Sequence, residues 1–471
     1  MGMLKTLVGR RVPEKYRKYL NLPARHESWK KDNTADSRLG RLVSSWLRGR
    51  PEKCGVYRLD LGLDALSMRL GLIDAANRGV RVRLLMDDAL TEEIDAGLVS
   101  INDHVNIEVR VFNPFPRSRS RFRSLLANFN ILNRRMHNKS FTIDNQVTIV
   151  GGRNLADEYF QTSSESEFID EDLLAIGPVV NQVSVGFDEY WNMLESIAID
   201  SFEPPIEHPP INETIYAGMM YLEERKSSPF LSSIKYDFVE QLLSSELPLI
   251  EADAQLVLDH PDKVRGLTRN QVGETTNFLR RMVSSATREV IIVSPYFVPQ
   301  RQGVAFLAAL VSKGVRVVVI TNSLASTNHT SVHAVYARYR KPLLRQGIEL
   351  YELRPQFSAS DLKITLHSKV AVVDGASLFV GSFNLDPRSL YINTEMGMAV
   401  ESRELAGSVA ASIGKSLQER TYSLRLARSG GIRWKYLTHA GEQVANKEPH
   451  TTIWRRSLTR LMSLLPIESQ M

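Results

Sequence analysis

At two places along this chain, a glycine is followed directly by a short, mainly apolar segment. Residues 80–85 follow Gly79 and residues 315–320 follow Gly314, and in both places a stretch with helical periodicity precedes the glycine. A glycine after the last helical residue can take the left-handed conformation that ends a helix, and a short apolar run is typical of a buried strand. The pattern therefore predicts a helix followed by a buried strand in each half of the chain.

A second pattern predicts two strands joined by a tight turn. Residues 370–373 are consecutively apolar, Asp374-Gly375 follows, and residues 377–380 resume the apolar pattern. Asp144-Asn145 forms the matching turn in the first half. Asp-Gly between two apolar runs favours a hairpin. The two patterns together predict a duplicated protein built from α/β units.

The first half is shorter than the second. Residues 288–295 have the pattern of a further strand, and a helix separates them from Gly314. In the first half, residues 63–77 form one helical pattern that leads directly into Gly79, with no equivalent strand. The first half is therefore expected to lack one helix–strand unit. A strand that loses its neighbour leaves an unpaired edge or a reordered sheet.

Prolines at 204–205 and 209–210 indicate a linker between the halves. We expect five segments: an N-terminal arm (1–54), the first half (55–200), a linker with a mostly helical stretch (201–251), the second half (252–425) and a C-terminal tail with an amphipathic helix (426–471).

Composition narrows the class of protein only slightly. The 471 residues are 43% hydrophobic and 24% charged, with a net charge of +6, which is ordinary for a globular protein and does not by itself require a nucleic-acid partner. The single cysteine, Cys54, excludes an internal disulfide. No apolar run is long enough for a transmembrane helix, and the N-terminal apolar run is too short for a signal peptide.

Two segments could contact an anionic surface. Residues 110–139 contain eight Lys or Arg, no Asp or Glu, and four interleaved phenylalanines. This stretch suits an anionic membrane or a headgroup channel, a nucleic-acid groove, or a solvated segment with core phenylalanines. Near the C-terminus, apolar residues from Trp454 to Leu465 follow helical spacing beside three arginines. This second segment is either an interfacial helix or an amphipathic helix packed on the protein.

The chemistry of the chain is concentrated in two copies of one short motif. His137, Lys139 and Asp144 have the spacing His-x-Lys-x4-Asp, and His367, Lys369 and Asp374 repeat it. Each copy is followed, seventeen residues after its His, by an asparagine, Asn154 or Asn384. Repetition of the whole arrangement makes chance an unsatisfactory explanation.

These residue types suit chemistry on a phosphodiester. A neutral histidine can attack phosphorus and a charged one can protonate the leaving oxygen, so two histidines can divide these tasks near neutral pH. Lysine supplies compact positive charge, and asparagine supplies amide donors for the anionic oxygens. No Cys/His set has zinc spacing and no carboxylate cluster suggests a divalent ion, so we expect a reaction without metal or other cofactor.

The paired motif resembles the signature of the phospholipase D superfamily. The surrounding segments are similar to those of bacterial cardiolipin synthases, particularly the C-type branch: residues 133–139, 151–154 with 157–160, 333–344, and 381–389 with 393–395. The likeness extends from about residue 25 to the C-terminus.

That resemblance implies a duplicated α/β/α sandwich, in which two phospholipase D-like halves with pseudo-twofold symmetry share one active site. It implies a covalent phosphohistidine intermediate, with His137 as nucleophile and His367 as general acid. The residues expected to hold the phosphoryl oxygens are Lys139, Lys369, Asn154 and Asn384. In synthases of this kind the intermediate is a phosphatidyl-enzyme, which a lipid hydroxyl releases.

Several residues are given supporting roles. Asp144 and Asp374 fall off the His/Lys face by strand alternation, and we assign them a positioning role, with an imidazole nitrogen as one candidate partner. Glu395 is a candidate to orient His137, and either Asp170 or Asp172 is its counterpart in the first half. The hydroxyls of Ser382 and Ser140 either donate to phosphate or cap backbone.

The favoured function is phosphatidyl transfer that forms cardiolipin from phosphatidylglycerol, with phosphatidylethanolamine as a possible second substrate. Phospholipid hydrolysis at the same site, a superfamily nuclease and a non-catalytic binding protein are the alternatives. We expect a monomer, peripheral on the cytoplasmic face of the bacterial inner membrane, with lipids and the membrane surface as partners and no nucleic acid.

Overall fold

The computed structural model describes residues 54–59, 65–88, 95–117, 129–154, 166–224, 248–266, 272–357, 363–466 and 468. The expected N-terminal arm lies outside these residues, except for Cys54.

The described strands, in chain order, are β1 Cys54–Leu59, β2 Val82–Asp87, β3 Ile107–Phe112, β4 Ser140–Ile143, β5 Val147–Gly151, β6 Ser166–Ile169, β7 Asp172–Ile176, β8 Ser196–Ala198, β9 Ile250–Leu258, β10 Glu289–Val293, β11 Arg316–Asn322, β12 Glu349–Leu353, β13 Gln356–Phe357, β14 Lys363–Leu366, β15 Val370–Val373, β16 Ser377–Gly381, β17 Met396–Glu401, β18 Thr421–Leu426, β19 Ile432–Thr438 and β20 Gly441–Ala445. The α-helices are α1 Ala65–Asn77, α2 Asp95–Asn102, α3 Phe129–Leu132, α4 Pro178–Trp191, α5 Ile211–Glu224, α6 Glu274–Ser284, α7 Gln300–Ser312, α8 Thr330–Ala337, α9 Arg340–Arg345, α10 Pro387–Tyr391, α11 Arg403–Arg420 and α12 Ile453–Met462.

The chain divides into two compact units. Of the described residues, the larger unit contains those within 54–59, 136–190 and 248–468, and the smaller contains those within 65–135 and 191–224. These boundaries differ from those of the sequence halves, because β2, β3 and β8 of the first half form a separate sheet in the smaller unit.

The larger unit is built on one long sheet with internal symmetry. Its strand order is β20-β19-β18-β12-β11-β10-β15-β16-β17-β9-β1-β7-β5-β4. The two central strands, β9 and β1, pair antiparallel, and on either side the same antiparallel order follows: β17-β16-β15 from the second half and β7-β5-β4 from the first. This order, with helices on both faces, confirms the expected duplicated α/β/α architecture.

The hairpins after the two motifs have the turns that the sequence predicts. Asp144 and Asn145 between β4 and β5, and Asp374 and Gly375 between β15 and β16, all have positive φ angles of 51° to 60°. Two consecutive positive φ angles match the right-handed twist of the flanking strands, which explains the choice of Asp, Asn and Gly. The turns fix the register that places both motifs at equivalent points of the sheet.

The shortening of the first half is visible in the same sheet. In the second half β10 lies between β15 and the parallel strand β11. Among the described residues β4 has no such neighbour and forms the edge of the sheet. The expected unpaired edge is therefore confirmed within the described part of the chain. The C-terminal tail, by contrast, continues the sheet, since β19 pairs with β18 and β20 pairs with β19.

Apolar side chains cover both faces of the large sheet. On one face, residues of α4 and α11 such as Val183 and Leu405 pack with inward-facing strand residues such as Val372 and Met398. On the other face, α6, α7, α8 and α9 pack over β10–β12 and β15–β17. Fully burying one such side chain contributes about 1.5–3 kcal/mol. The sheet is thus a rigid support for the motifs at its strand ends.

The smaller unit has its own core. β2 pairs parallel with β3, and β3 pairs antiparallel with β8. Ile73 of α1, Leu98 of α2 and Ile215 of α5 pack with Val109 and other buried residues of this sheet. α5 is the described part of the helical stretch that the sequence predicts after the proline pairs.

Candidate active site

Both motif histidines lie directly before a strand of the large sheet, and each is held by backbone from the other half. The His137 amide donates to the carbonyl of Thr394 at 3.0 Å, and the His367 amide donates to the carbonyl of Ile169 at 2.8 Å. β6 runs parallel to β14, which places Ile169 opposite Leu366. The two halves thus exchange equivalent contacts, as the pseudo-twofold symmetry requires.

A buried carboxylate from the opposite half contacts each imidazole. Nδ1 of His137 lies 2.9 Å from Oε2 of Glu395, and Nδ1 of His367 lies 2.6 Å from Oδ2 of Asp170. Both carboxylates are fully or almost fully buried. At His137, a carboxylate at Nδ1 favours the tautomer with hydrogen on Nδ1, which leaves Nε2 as the basic nitrogen. At His367, Nδ1 is shared between the Asp170 carboxylate and the ammonium of Lys369, which lies 2.7 Å away. Of the two aspartates that the sequence left open, Asp170 contacts the ring.

The two lysines lie beside the histidines. Nζ of Lys139 donates to the carbonyl of His137 at 2.7 Å. Nζ of Lys369 lies 2.7 Å from Nδ1 and 3.2 Å from Nε2 of His367, and 3.7 Å from Oδ2 of Asp170. It also donates to the carbonyl of His367. Lys369 is only 1% exposed, so its charge is poorly screened by water. This cationic pair provides the positive charge that a phosphodiester needs.

Burial and the lysines set the proton affinity of the site. Burial lowers the pKa of His137, and the carboxylate of Glu395 opposes that fall. The pKa of His367 lies well below its ordinary value, first because of burial and then because of Lys369, Lys139 and His137. Each histidine therefore responds to the lysine of the other motif, which shows that the two motifs form one electrostatic site. Without an anion, neutral imidazoles are favoured at neutral pH.

The carboxylate of Glu395 is fixed by hydrogen bonds at both oxygens. Ser382 Oγ donates to Oε2 at 2.5 Å and Ser389 Oγ donates to Oε1 at 2.7 Å. Burial raises the pKa of Glu395, but His137, Ser382 and Lys139 outweigh it, so its pKa lies below the ordinary value. The suggestion that Ser382 binds phosphate differs from this geometry, because its only hydrogen is donated to Glu395.

The backbone of Glu395 is held by a buried ion pair that sequence reasoning missed. Asp259 Oδ2 accepts from the Glu395 amide at 3.1 Å and from Nζ of Lys263 at 2.7 Å. Oδ1 of Asp259 accepts from the Thr275 amide at 2.8 Å. The position of Asp259 at the end of β9, with Lys263 four residues later, was the only available signal. These contacts make the orientation of Glu395 part of the fold.

Asp170 has an equivalent support in the first half. Arg153 donates to Oδ2 of Asp172 at 2.6 Å and to the carbonyl of Asp170 at 2.8 Å. The two preceding glycines allow close packing, since a Cβ on Gly151 would lie 1.8 Å from Asp172 Oδ1 and one on Gly152 would lie 2.3 Å from Asp170 Oδ1. Arg153 and Asp172 therefore position Asp170, and Asp172 does not contact the imidazole of His367.

The motif aspartates, Asp144 and Asp374, lie in the hairpin turns after the motif strands. Asp374 accepts hydrogen bonds from Thr287, Arg288 and Glu289 at the start of β10, and backbone and hydroxyl donors lower its pKa to about 2 although burial raises it. Asp144 is exposed in the equivalent turn. The suggested imidazole contact is therefore wrong for Asp374, because the partners of both its carboxylate oxygens are residues 287–289.

The two asparagines differ in exposure. Asn384 is 6% exposed. Its backbone N–H donates to Ser389 Oγ at 3.2 Å, and its side-chain Oδ1 has no hydrogen-bond partner among the described residues. Asn154 is half-buried beside Arg153. Their role as phosphoryl ligands stays a prediction.

Aromatic side chains surround His367. The ring of Phe168 stacks on the imidazole at 5.4 Å, and Tyr296 meets it edge-on at 6.3 Å. Tyr296 also meets His329 edge-on at 5.2 Å. No pattern in the sequence pointed to Phe168. His333 is buried and lies 2.8 Å from a guanidinium nitrogen of Arg340, so it is a histidine of the protein core.

The basic stretch at 110–139 is only partly described. Within that part, three of its arginines form ion pairs: Arg110 with Glu108, Arg117 with Asp88 and Asp95, and Arg135 with Asp87. Arg117 and Arg135 are largely buried. These arginines stabilise the smaller unit.

No group of three or more His, Cys, Asp or Glu among the described residues has an arrangement that could hold a metal ion. In the same residues, none of the helices has the length and apolar character needed to cross a membrane.

Two His–carboxylate pairs with two lysines, on one pseudo-symmetric sheet, define an enzyme of the phospholipase D class that acts on phosphodiesters. The chain belongs to the family described as cardiolipin synthase, phospholipase D-like domain, whose profile matches residues 64–191 and 279–416. The predicted family is thereby confirmed.

Two relatives align with this chain over more than nine tenths of its length. Cardiolipin synthase C of Escherichia coli K12 is 38% identical over 92% of this chain and 99% of its own length. An uncharacterised protein of Helicobacter pylori J99 is 30% identical over 91% of this chain and 92% of its own length.

A solved structure has a similar fold. The phosphatidylserine synthase of Haemophilus influenzae matches with a TM-score of 0.52 at 12% identity, over 92% of this chain and 100% of that protein. This likeness supports the fold assignment.

Proposed function

We propose that this enzyme transfers a phosphatidyl group from one phospholipid to the hydroxyl of another and so forms cardiolipin. The single observation that carries the proposal is the shared site, in which His137 and His367 each have a carboxylate at Nδ1. Similarity over nearly the full length to a cardiolipin synthase supports the substrate class. The chain is an enzyme of a phosphatidyl-transferring family.

The reaction is a double displacement. Nε2 of His137 attacks phosphorus and forms a P–N bond, while the P–O bond to the leaving alcohol breaks and His367 gives its proton to the departing oxygen. The acceptor hydroxyl then loses its proton to His367 and attacks phosphorus, and the P–N bond breaks. This assignment of nucleophile and acid rests on the resemblance to the superfamily.

The protonation states that this scheme needs depend on substrate. His137 must be neutral, and its lowered pKa favours that form. His367 must carry a proton despite its lowered pKa, and the negative charge of the phosphodiester favours the protonated form by direct attraction. Lys139, Lys369, Asn154 and Asn384 are proposed to hold the phosphoryl oxygens.

The finer statements belong to the same proposal. Phosphatidylglycerol is the proposed substrate, with phosphatidylethanolamine as a second one, and the enzyme is proposed to act as a monomer on the cytoplasmic face of the bacterial inner membrane. Hydrolysis is the alternative outcome at the same site, because water in place of a lipid hydroxyl would release phosphatidic acid.

Product analysis tests the proposal. Purified enzyme is incubated with vesicles that contain phosphatidylglycerol, with or without phosphatidylethanolamine, and lipids are identified by mass spectrometry. His137→Ala and His367→Ala are run in parallel with the control His439→Ala, at an exposed position in the turn between β19 and β20. Cardiolipin from wild type and from the control, but not from the two variants, supports transfer. Phosphatidic acid as the sole product would replace transfer with hydrolysis.

A further inference from the structure

The helix α12 carries an apolar face that the protein leaves exposed. Ile453 is 73% exposed, Trp454 86% and Leu461 64%. Leu458 on the helix, and Leu464 and Leu465 in the turn that follows it, are also exposed. Soluble proteins rarely expose such a contiguous set of large apolar side chains without a partner.

The face is arranged as an amphipathic surface. At about 100° per residue, Ile453, Trp454, Leu458 and Leu461 fall within an arc of about 140°. Thr459 lies opposite this arc and is buried. The three arginines of the helix follow on either side of the arc: Arg455 on one side, and Arg456 and Arg460 on the other.

The charge of the segment identifies the partner that fits it. Residues 449–467 contain three arginines and no Asp or Glu. Arg455 and Arg456 each donate to a backbone carbonyl, of Thr327 and Thr451. Glu448 and Glu468, which flank the segment, are paired with Arg340 and Arg338. The segment is therefore positive in net charge, and a projecting apolar arc with positive margins matches a bilayer that presents anionic headgroups above acyl chains.

The orientation of the helix is fixed by contacts at both ends. Near its start, Arg455 donates to the carbonyl of Thr327 at 3.1 Å. Just beyond its end, Arg338 donates to the carbonyl of Leu465 at 2.9 Å and lies 3.3 Å from Oε2 of Glu468. The helix therefore presents its apolar face as a rigid part of the larger unit.

A short bonded path joins this helix to the catalytic centre. Thr365 Oγ1 donates to the carbonyl of Ser326, the residue before Thr327, at 2.8 Å. Asn322 bonds both the amide and the carbonyl of Leu366, which directly precedes His367. The loop that anchors the start of α12 thus also holds the strand that delivers His367.

We propose that α12, together with Leu464 and Leu465, is the surface by which this enzyme docks onto an anionic phospholipid bilayer, and that docking brings the neighbourhood of His367 to the lipid headgroups. The inference rests on the proposed function, since it assumes that the substrate of the site is a phospholipid.

The test separates binding from turnover. Full-length wild type and the double variant Trp454→Glu/Leu461→Glu are sedimented with vesicles of phosphatidylcholine alone or mixed with phosphatidylglycerol. Leu194→Glu, at an apolar position that is 84% exposed, is the matched control. Binding of the double variant to anionic vesicles is expected to fall at least about tenfold, because burying even one large apolar side chain contributes that much, while the control binds as wild type.

A second readout connects docking with catalysis. Turnover of vesicle phosphatidylglycerol should fall in parallel with binding, whereas turnover of a short-chain, monomerically dispersed phosphatidylglycerol should stay within about twofold of wild type. Vesicle binding does not require turnover. If binding depends on α12 but no product forms, the docking proposal is supported and the proposed phosphatidyl transfer is refuted.

Three results would overturn the docking proposal. One is unchanged vesicle binding by the double variant. Another is equal binding of wild type to neutral and anionic vesicles. The third is a wild-type dimer, seen by light scattering, that becomes monomeric in the double variant, since the apolar face would then be covered by a second copy of the chain.

Discussion

Replacing Glu395 by Gln removes one charge from the centre of the site and leaves its shape almost unchanged. The Glu395 carboxylate accepts from His137, Ser382 and Ser389 at 2.9, 2.5 and 2.7 Å and is completely buried. A hydrogen bond to a charged buried group is worth about 1.5–3 kcal/mol. If that stabilisation is greatest when His137 carries positive charge in the transition state, kcat should fall about 10- to 150-fold.

The pH profile gives the sign of the effect. Burial lowers the pKa of His137 and Glu395 opposes this, so loss of the carboxylate lowers that pKa further. A nucleophile must be neutral, and the acidic limb of kcat/KM should therefore move to lower pH in Glu395→Gln. A residue that served only the fold would reduce the amount of active enzyme and leave the limb in place.

The assay is initial-rate measurement of cardiolipin formation between about pH 5 and pH 9, the range in which histidine titration is seen. Glu401→Gln is the matched control, because Glu401 is an exposed carboxylate on the adjoining strand β17 that accepts from Ser377 at 2.7 Å. Wild-type kcat and an unmoved acidic limb in Glu395→Gln would refute the role given to this carboxylate.

Two further substitutions test the supporting contacts. Asp374→Asn should destabilise the protein by about 0.5–1.5 kcal/mol in urea unfolding, because its bonds to the start of β10 are weakened and water screens this partly exposed group. Turnover by the folded enzyme should be normal. Because the folded pKa is about 2 against a usual 3.8, the difference in stability should disappear as pH falls through this interval. Lost turnover at unchanged stability would contradict this prediction. Gly152→Ala places a Cβ 2.3 Å from Asp170 Oδ1, so it should displace this carboxylate and lower kcat at least about tenfold. The control Gly71→Ala has open space at its Cβ and should keep the wild-type kcat. Equal kcat values for the two variants would refute the positioning role of Asp170.

The sequence predicted those parts of the fold that depend on local pattern. Glycine after helical stretches, apolar runs and Asp-Gly or Asp-Asn turns led to the strands and hairpins around both motifs, and positive φ angles at Asp144 and Asp374 agree with that reasoning. The missing helix–strand unit was also predictable, because the segment before Gly79 lacks the strand that precedes Gly314 in the second half.

The partners of the imidazoles could be predicted only in part. Glu395 was singled out, but the choice between Asp170 and Asp172 depends on which carboxylate faces His367 across the parallel pairing of β6 with β14, a contact between residues 197 positions apart. Local pattern does not contain that information. For the same reason Asp374 was given an imidazole as one candidate partner, whereas its partners lie on β10.

The exposed face of α12 shows a similar limit. Periodicity identified an amphipathic helix, but the same pattern describes a helix packed on the protein and one presented to a membrane. Only the exposure of Trp454 and Leu461, with Thr459 buried behind them, separates these alternatives.

The measurement that tests the central claim most directly is trapping of the covalent intermediate. Enzyme and phosphatidylglycerol with radiolabelled phosphorus are quenched in alkali, in which phosphohistidine survives, and the labelled peptide is identified by mass spectrometry. We expect label on His137 in wild type, absent from His137→Ala and retained in His439→Ala, at an exposed position. Cardiolipin formation with no labelled protein at any time, or label found on His367, would contradict the assignment of His137 as the nucleophile of a shared site.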